Sequence, residues 1–465
     1  MSENLPTLSP NHSKQMVYGP SYRVETWGCQ MNVLDGDRMA GQLESRGYRA
    51  AAENEDADVV LLNTCSVREK AEAKVYSALG VLGQLKRDRP DMVIGVTGCV
   101  AQVESEEIFE RAPYVDFVLG TGQVEQTGEI VERVRRERSR ALAIDLPEDS
   151  PVYQFREIRR SSPFQAFVTV IEGCDQFCTF CIVPFTRGRE RSRRSSEIVA
   201  EVLDLVERGF TEVMLLGQTI NAYRDPEDEI GLGGLLGRVA AVPGLKRLRF
   251  ITSHPGLVDD AMVDALAAGG IVAPYLHLPA QSGSDRILYR MKRRYGRAQY
   301  ADVVARFRAA VPDLALSSDF IVGFPGETDA EFEETLSLMR ELQFANVFAF
   351  RYSPRPGTAA ARWGSETEVP AALAAERLAR VLDLQTEIQS QINQGLVGRE
   401  FEVLVENRDR KGQSRGRTSC NRVVHIEDSD TLSPGTYVRA RVIRGLPNSL
   451  IARVADPSSG RNAPW

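Results

Sequence analysis

Residues 165–181 read Gln165-Ala166-Phe167-Val168-Thr169-Val170-Ile171-Glu172-Gly173-Cys174-Asp175-Gln176-Phe177-Cys178-Thr179-Phe180-Cys181. An apolar run of strand composition ends in a glycine, and three cysteines follow in C-x3-C-x2-C spacing. Three thiolates on one tight loop can hold three irons of a 4Fe-4S cluster and leave the fourth iron without a protein ligand. Zinc is the competing reading, but structural zinc is normally closed by four ligands, and no fourth Cys or His lies nearby. A redox thiol pair would need only a lone CxxC, so the triplet points to a cluster on Cys174, Cys178 and Cys181. An open iron is a place for chemistry.

Outward from this loop, strand and helix alternate from about Gln165 to Asn393. The candidate strands are QAFVTVI, EVMLL, KRLRFIT, APYLHL, ALSSDFIV and NVFAF. Ser195 or Ser196 can cap a helix whose Ile198, Val202, Leu205 and Val206 share one face, and Gly209 can close it. Six such strands predict a parallel (β/α) barrel or partial barrel with function at the carboxyl ends of its strands. A doubly wound open sheet is the alternative.

Before this region, YRVETWGC, VVLLNTC and MVIGVTGC alternate with amphipathic segments from Tyr22 to about Arg140, which predicts a parallel α/β domain over 21–140. Residues 1–20 read as a disordered tail and 141–162 as a linker containing Pro147 and Pro151, with Pro163 directly after it. After the helical run 370–398 the pattern changes to EFEVLVEN, RVVHI, TYVRARVIRG and SLIARV, separated by Gly412, Gly416, Gly435 and Gly445. That predicts a small antiparallel β-barrel over 394–458, followed by a tail over 459–465.

The 465 residues are 43% hydrophobic and 26% charged, with a net charge of −7, the composition of a folded globular chain. No apolar run is long enough to span a bilayer, and the beginning has no signal-peptide pattern, so a cytoplasmic protein with no membrane partner is expected. From Gly395 onward 12 basic and 8 acidic residues give +4, which leaves −11 for the rest. A basic module on an acidic body suits a polyanion.

Cys29, Cys65 and Cys99 are far apart in sequence, yet each ends an apolar run. In a parallel sheet all three emerge at the same carboxyl edge, where such sheets place their ligands. They are buried structural cysteines or a second three-cysteine cluster site, and their equivalent placement favours the cluster. Cys420, in the basic run RGRTSCNR, belongs to neither trio.

The C-x3-C-x2-C loop at the end of a first barrel strand resembles that of the radical S-adenosylmethionine (SAM) enzymes. The resemblance implies that the open iron chelates SAM and that electron transfer cleaves it to a 5′-deoxyadenosyl radical, with the protein positioning cofactor and substrate. Two cysteine trios on two α/β domains followed by a β-barrel look like the methylthiotransferase family, over about Tyr22 to Val454. That likeness implies an auxiliary 4Fe-4S cluster on Cys29, Cys65 and Cys99, and an RNA-binding TRAM barrel at the C-terminus. PFTRGRE (184–190) and LGQTINAY (216–223) are similar to the branch acting on isopentenylated adenosine beside the tRNA anticodon, although that branch usually has Asn where Thr219 stands. Branches acting on threonylcarbamoyladenosine or a ribosomal-protein aspartate are alike over most of the chain, but the ribosomal branch typically has Gln-His where this chain has Gln281-Ser282.

The implied activity is transfer of a methylthio group to C2 of the adenine, with SAM as methyl donor and as radical source. A low-potential flavodoxin-like or ferredoxin-like electron donor and a monomeric state go with it. A non-catalytic RNA-binding Fe-S redox sensor is the reading of another class. Strand-end segments supply the expected SAM contacts: Gly217 and Gln218, Gln281 and Ser282, Asp319, Gly323 and Glu327. His254 faces the same end. Phe177 and Phe180 would shield the cluster. Expected phosphate contacts are Arg187 and Arg189 beside the cysteine loop, Arg293 and Arg294 in a second basic run, and Arg408, Arg410, Lys411, Arg415, Arg417 and Arg422 in the C-terminal module. If Gly395 onward supplies phosphate contacts, its removal weakens tRNA binding and its salt dependence while leaving SAM cleavage intact.

Overall fold

A computed structural model describes residues 19–53, 55–65, 69–149, 155–409, 412–427 and 432–455. Most of both expected tails, part of the expected linker, and Arg410 and Lys411 lie outside the described residues.

The N-terminal apolar runs form a fully parallel six-stranded sheet in the order Arg49–Ala50, Ser21–Trp27, Val59–Thr64, Val93–Gly98, Phe117–Leu119, Ala141–Ala143. Val59–Thr64 and Val93–Gly98 are buried along their whole length, as central parallel strands covered on both faces must be. The last strand occupies the start of the expected linker. Further along that segment, Ile158 is buried against Met31 and Leu34, so much of the linker is packed structure.

The central region holds six parallel strands in two three-stranded sheets. One runs Arg247–Phe250, Glu212–Leu216, Gln165–Thr169, and the other Tyr275–His277, Ala315–Val322, Asn346–Arg351. A parallel bridge between Leu248 and Val272 joins them, which makes the partial barrel expected from the alternation. Val168, Val213, Leu215, Leu248, Leu276, Leu316 and Phe320 pack outward in the core beneath the helices. Because side chains alternate across a strand, Phe167, Met214, Leu216, Arg249, His277, Asp319 and Phe348 point to the barrel interior. Ser195 opens its helix instead of capping it: its N–H is held by Asp225 Oδ2 at 2.8 Å.

The N-terminal domain uses that interior face as its seat. Helix Gln30–Glu44 begins directly after Cys29 and places Met31 and Leu34 against Met214 and Leu216. Met31 Sδ lies 3.7 Å from Thr169 Oγ1. The Cys29 end of the first domain is thereby held at the mouth of the second.

The C-terminal strands Glu400–Arg408, Ser414–Thr418, Val423–Glu427, Leu450–Val454 and Tyr437–Gly445 close a barrel. Its Val423–Glu427 and Leu450–Val454 pair is parallel, because five strands cannot alternate in direction all the way around a ring. Gly416, expected as a separator, lies inside Ser414–Thr418, where a Cβ would meet Leu404 O at 2.0 Å. Among the described residues no helix is long and apolar enough to cross a membrane.

Candidate functional site: two cysteine trios at one barrel mouth

The N-terminal trio converges as the strand-end argument requires. Cys65 and Cys99 each follow directly on a central strand, while Cys29 is the residue preceding the helix Gln30–Glu44. Gly28 and Gly98 permit the approach: a Cβ on Gly28 would lie 2.9 Å from the Cys65 Cβ, and one on Gly98, at φ +87°, would meet Asn63 Oδ1 and Thr64 O at 2.6 Å. The Cys29 and Cys99 thiols are pulled down to about 6, first by hydrogen bonding to Cys65, with the Arg187 guanidinium adding to the effect against burial. Cys65, between them, is pushed up by those two hydrogen bonds. Two buried asparagines hold the frame. Asn32 Oδ1 accepts from Cys29 Sγ at 3.2 Å, its Nδ2 reaches Thr64 O at 3.3 Å, and Asn63 Nδ2 donates to Asn32 O at 2.6 Å.

The second trio lies on the loop after Gln165–Thr169. Gly173, at φ +80°, allows the loop to pass Arg189 O, which a Cβ would meet at 2.0 Å. Burial pushes up the Cys174 and Cys181 thiols, the latter to about 12 with the Cys178 charge adding. Gln218, expected at the cofactor, braces this loop by accepting from Gly173 N at 2.7 Å. Thr219, where the family branch usually has Asn, stands 3.2 Å from Cys174 Sγ. Phe180 packs edge-on to Phe324 at 6.3 Å, while the Phe177 ring lies beneath Arg189 and Lys292.

Several of the expected SAM contacts also brace the protein itself. Glu327 is buried, accepting from Gly323 N and pairing with Arg377, each at 2.7 Å, so its carboxylate braces a turn. Ser282 is buried and accepts from Ser284 N at 3.2 Å. Gly217 and Gly323 leave room for protein: a Cβ would meet Ile171 at 2.5 Å and Ala374 at 2.6 Å. Gln281, at φ +70°, continues the sheet edge by bonding Asp319 O and Ile321 N through its backbone. Asp319 does face the open interior, 3.4 Å from His277 Nε2, and His277 Nδ1 lies 2.8 Å from Ser317 Oγ. Phe348 and Phe350, both exposed, line the same face. The alternation in NVFAF carried that signal.

The basic runs divide. Arg187 is buried and pairs with Asp35 Oδ2 at 2.7 Å across the domain boundary, and Arg293 is also buried. Neither is a surface phosphate contact. Arg422 bonds Asn393 Oδ1 at 2.9 Å, Arg417 pairs with Glu406 at 3.3 Å, and Arg297 with Glu341 at 2.7 Å. Arg189, Arg294 and Arg408 are exposed, and Arg415 is half-buried. His254 is uncharged, held down to about 3 by burial and by Arg293 and Arg294, and its Nδ1 accepts from Gly256 N at 3.1 Å. Cys420 lies in an apolar cluster with Tyr275, Ala315 and Ala345.

Arg187 joins Asp35 on the first domain to the segment following the second cysteine loop. Arg187→Gln leaves Asp35 buried with only Arg38 beside it, 3.3 Å away. Breaking a buried pair from one side costs about 3 kcal/mol. A lower thermal unfolding midpoint in metal-free protein, compared with wild type, checks this.

All six cysteines are free of disulfides, and both trios offer sulfur alone. Among the described residues no three His, Cys, Asp or Glu side chains form a cage for a single ion. A parallel partial barrel with a three-cysteine loop after its first strand defines a radical SAM protein. Residues 168–339 match the Radical SAM superfamily, 21–120 the uncharacterized protein family UPF0004 and 394–455 the TRAM domain. The fold resembles the radical S-adenosylmethionine methyltransferase TsrM from Kitasatospora setae, with a TM-score of 0.53 at 14% identity, covering 74% of each chain. A tRNA-2-methylthio-N(6)-dimethylallyladenosine synthase of Cereibacter sphaeroides is 48% identical over 92% of this chain and 97% of its own. One of Moorella thermoacetica is 44% identical over 91% and 96%. The chain belongs to the tRNA-2-methylthio-N(6)-dimethylallyladenosine synthase family.

Proposed function

We propose that this protein adds a methylthio group to C2 of N6-isopentenyladenosine beside the tRNA anticodon, with two 4Fe-4S clusters and SAM as cofactors. The observation that carries the reading is the seating of one three-cysteine site, through helix Gln30–Glu44, at the mouth of a barrel that holds another. Cys29, Cys65 and Cys99 would hold one cluster and Cys174, Cys178 and Cys181 the other. The donor sets fit, since each trio is all sulfur with one less-buried member, Cys29 or Cys181. When bound, these groups supply a radical able to activate an unreactive aromatic C–H, together with the sulfur and methyl to be transferred.

The chain's own residues orient and shield. Asn32 and Asn63 fix the first trio, and Gln218 and Thr219 fix the second. Asp319 and His277 offer polar contacts on the interior face, where Phe348 and Phe350 provide an apolar wall for a flat base. Outside the mouth, exposed Phe185 and Tyr289 with Arg189, Lys292 and Arg294 combine stacking surfaces and cations, the pairing that suits a splayed RNA loop. Arg408 and Arg415 add cations on the C-terminal barrel. A base in an anticodon loop is already largely unpaired, so its extrusion costs little. A cytoplasmic monomer receiving electrons from a low-potential flavodoxin-like or ferredoxin-like donor completes the reading.

Anaerobically reconstituted protein is expected to bind about eight irons, and the triple variant Cys174→Ala, Cys178→Ala, Cys181→Ala about four. With SAM, a reductant and isopentenylated tRNA, nucleoside mass spectrometry should show the 2-methylthio product alongside 5′-deoxyadenosine. Zinc in either trio of anaerobic protein, or SAM left uncleaved as a non-catalytic sensor would leave it, overturns the reading. Product only on threonylcarbamoylated tRNA or on a ribosomal protein would reassign the substrate.

A further inference from the structure

Lys292 and Arg294 both lie in the left-handed region, at φ +61° and +58°. Non-glycine residues held there cost on the order of 1 kcal/mol each and persist where the surroundings enforce them. The two turns send Lys292 and Arg294 to solvent and Arg293 inward. Arg293 is 6% exposed, and all three of its nitrogens are engaged. Nη1 donates to Cys178 Sγ at 3.3 Å, Nη2 to Pro279 O at 3.1 Å, and Nε to the Tyr295 hydroxyl at 2.9 Å.

The surroundings lock this orientation. The Tyr295 hydroxyl donates toward Pro279 O and Ala280 O at 3.0 and 2.9 Å, and its ring centroid lies 5.2 Å from the guanidinium carbon. His254 meets Tyr295 edge-on at 5.5 Å. The same segment grips the cysteine loop, with Met291 O accepting from Thr179 N at 3.1 Å and Arg290 O from Thr179 Oγ1 at 2.8 Å. A residue whose sequence context suggested phosphate binding is thus built into the wall behind the second trio.

We infer that Arg293 is a positioning residue that sets the reduction potential of the cluster held by Cys174, Cys178 and Cys181. This rests on the reading of those cysteines as cluster ligands. Adding an electron makes a thiolate-bound cluster more negative, so a fixed positive charge and an N–H···S bond favour the reduced state over the oxidised one. Guanidinium stays charged when buried, and burial spares its field the screening that a surface arginine suffers. The N-terminal trio, outside this contact, provides an internal reference.

The test is a potentiometric titration of full-length, anaerobically reconstituted protein followed by EPR, repeated in the Cys29→Ala, Cys65→Ala, Cys99→Ala background to isolate the second cluster. R293Q should lower its reduced-to-oxidised ratio at the wild-type midpoint by about tenfold, a shift of about 59 mV for one electron. R293K should recover most of the change, and the N-terminal cluster should titrate as in wild type. Fully loaded R293Q with the wild-type midpoint overturns the inference, as do equal shifts in R293Q and R293K. Should R293Q fail to retain iron, Tyr295→Phe carries the test, because it keeps the charge while releasing Nε. A smaller shift of the same sign supports the inference and an unchanged midpoint overturns it. Wild-type protein without iron at this trio would instead overturn the ligand reading itself.

Discussion

Replacing Cys29, Cys65 and Cys99 together by alanine is expected to bring methylthiolation of isopentenylated tRNA to background while 5′-deoxyadenosine is still formed from SAM. The reason is the separation of the two sites in the fold. The second trio lies on a single loop braced by Gln218 from the neighbouring strand and by Met291 and Arg290 from a later segment. None of those contacts comes from the first domain. The first trio stands at the ends of separate strands, and its loss leaves Met31, Leu34 and Asp35 in place at the barrel mouth. Iron content near four per chain and a near-native circular dichroism spectrum must accompany the result, because metal binding and folding are coupled. Methylthiolated adenosine from a variant verified to lack the N-terminal cluster would return those three cysteines to a structural role.

Deleting the chain from Gly395 onward is expected to destabilise the central barrel and suppress SAM cleavage along with tRNA binding. The structure ties the C-terminal barrel to the central one. The turn at Thr418–Asn421 packs against the amino-terminal end of the central strands. Arg249 donates there to Thr418 O at 2.7 Å and Ser419 O at 2.8 Å, and Arg247 reaches Arg417 O at 3.2 Å and Glu402 at 3.0 Å. Cys420 packs on Tyr275, Ala315 and Ala345 beside this turn. Both arginines are buried and share Glu212 as counter-ion, at 3.2 and 3.1 Å. Truncation removes the carbonyls, exposes an apolar floor and leaves one carboxylate for two guanidiniums. Uncovering buried apolar surface costs about 25 cal/mol per Å², so the loss of this interface is a large part of the net stability of an ordinary domain. Circular dichroism melts and 5′-deoxyadenosine yield in the truncated protein check this. Unchanged melting and cleavage would mean that the two barrels are energetically independent.

The six central strands and the three cysteine-ended strands were legible because apolar runs bounded by glycine have few ways to be buried. Ser414–Thr418 was not, since its inward residues are Ser414, Gly416 and Thr418. Small polar side chains alternate with arginine there and leave no hydrophobic period to read. The glycines expected beside SAM are ambiguous for a related reason. A glycine in a turn records only that something approaches closely, and at Gly323 that neighbour is Ala374 of the helix Ala371–Gln394.

Thiol spacing and strand periodicity are local properties: three cysteines within eight residues must share one loop, and a cysteine closing a parallel strand must emerge at the carboxyl edge. These dictate the cluster chemistry and the fold class. The direction of an arginine is decided at long range. Arg187 and Arg293 sit in runs of like charge that read as solvated faces, yet one finds Asp35 and the other finds Cys178, 152 and 115 residues away in sequence. Burial of a charge is tolerated only beside a counter-charge or a set of fixed acceptors. Only the tertiary fold brings those partners within reach: domain packed on domain for Arg187, and two distant loops of one barrel brought together for Arg293.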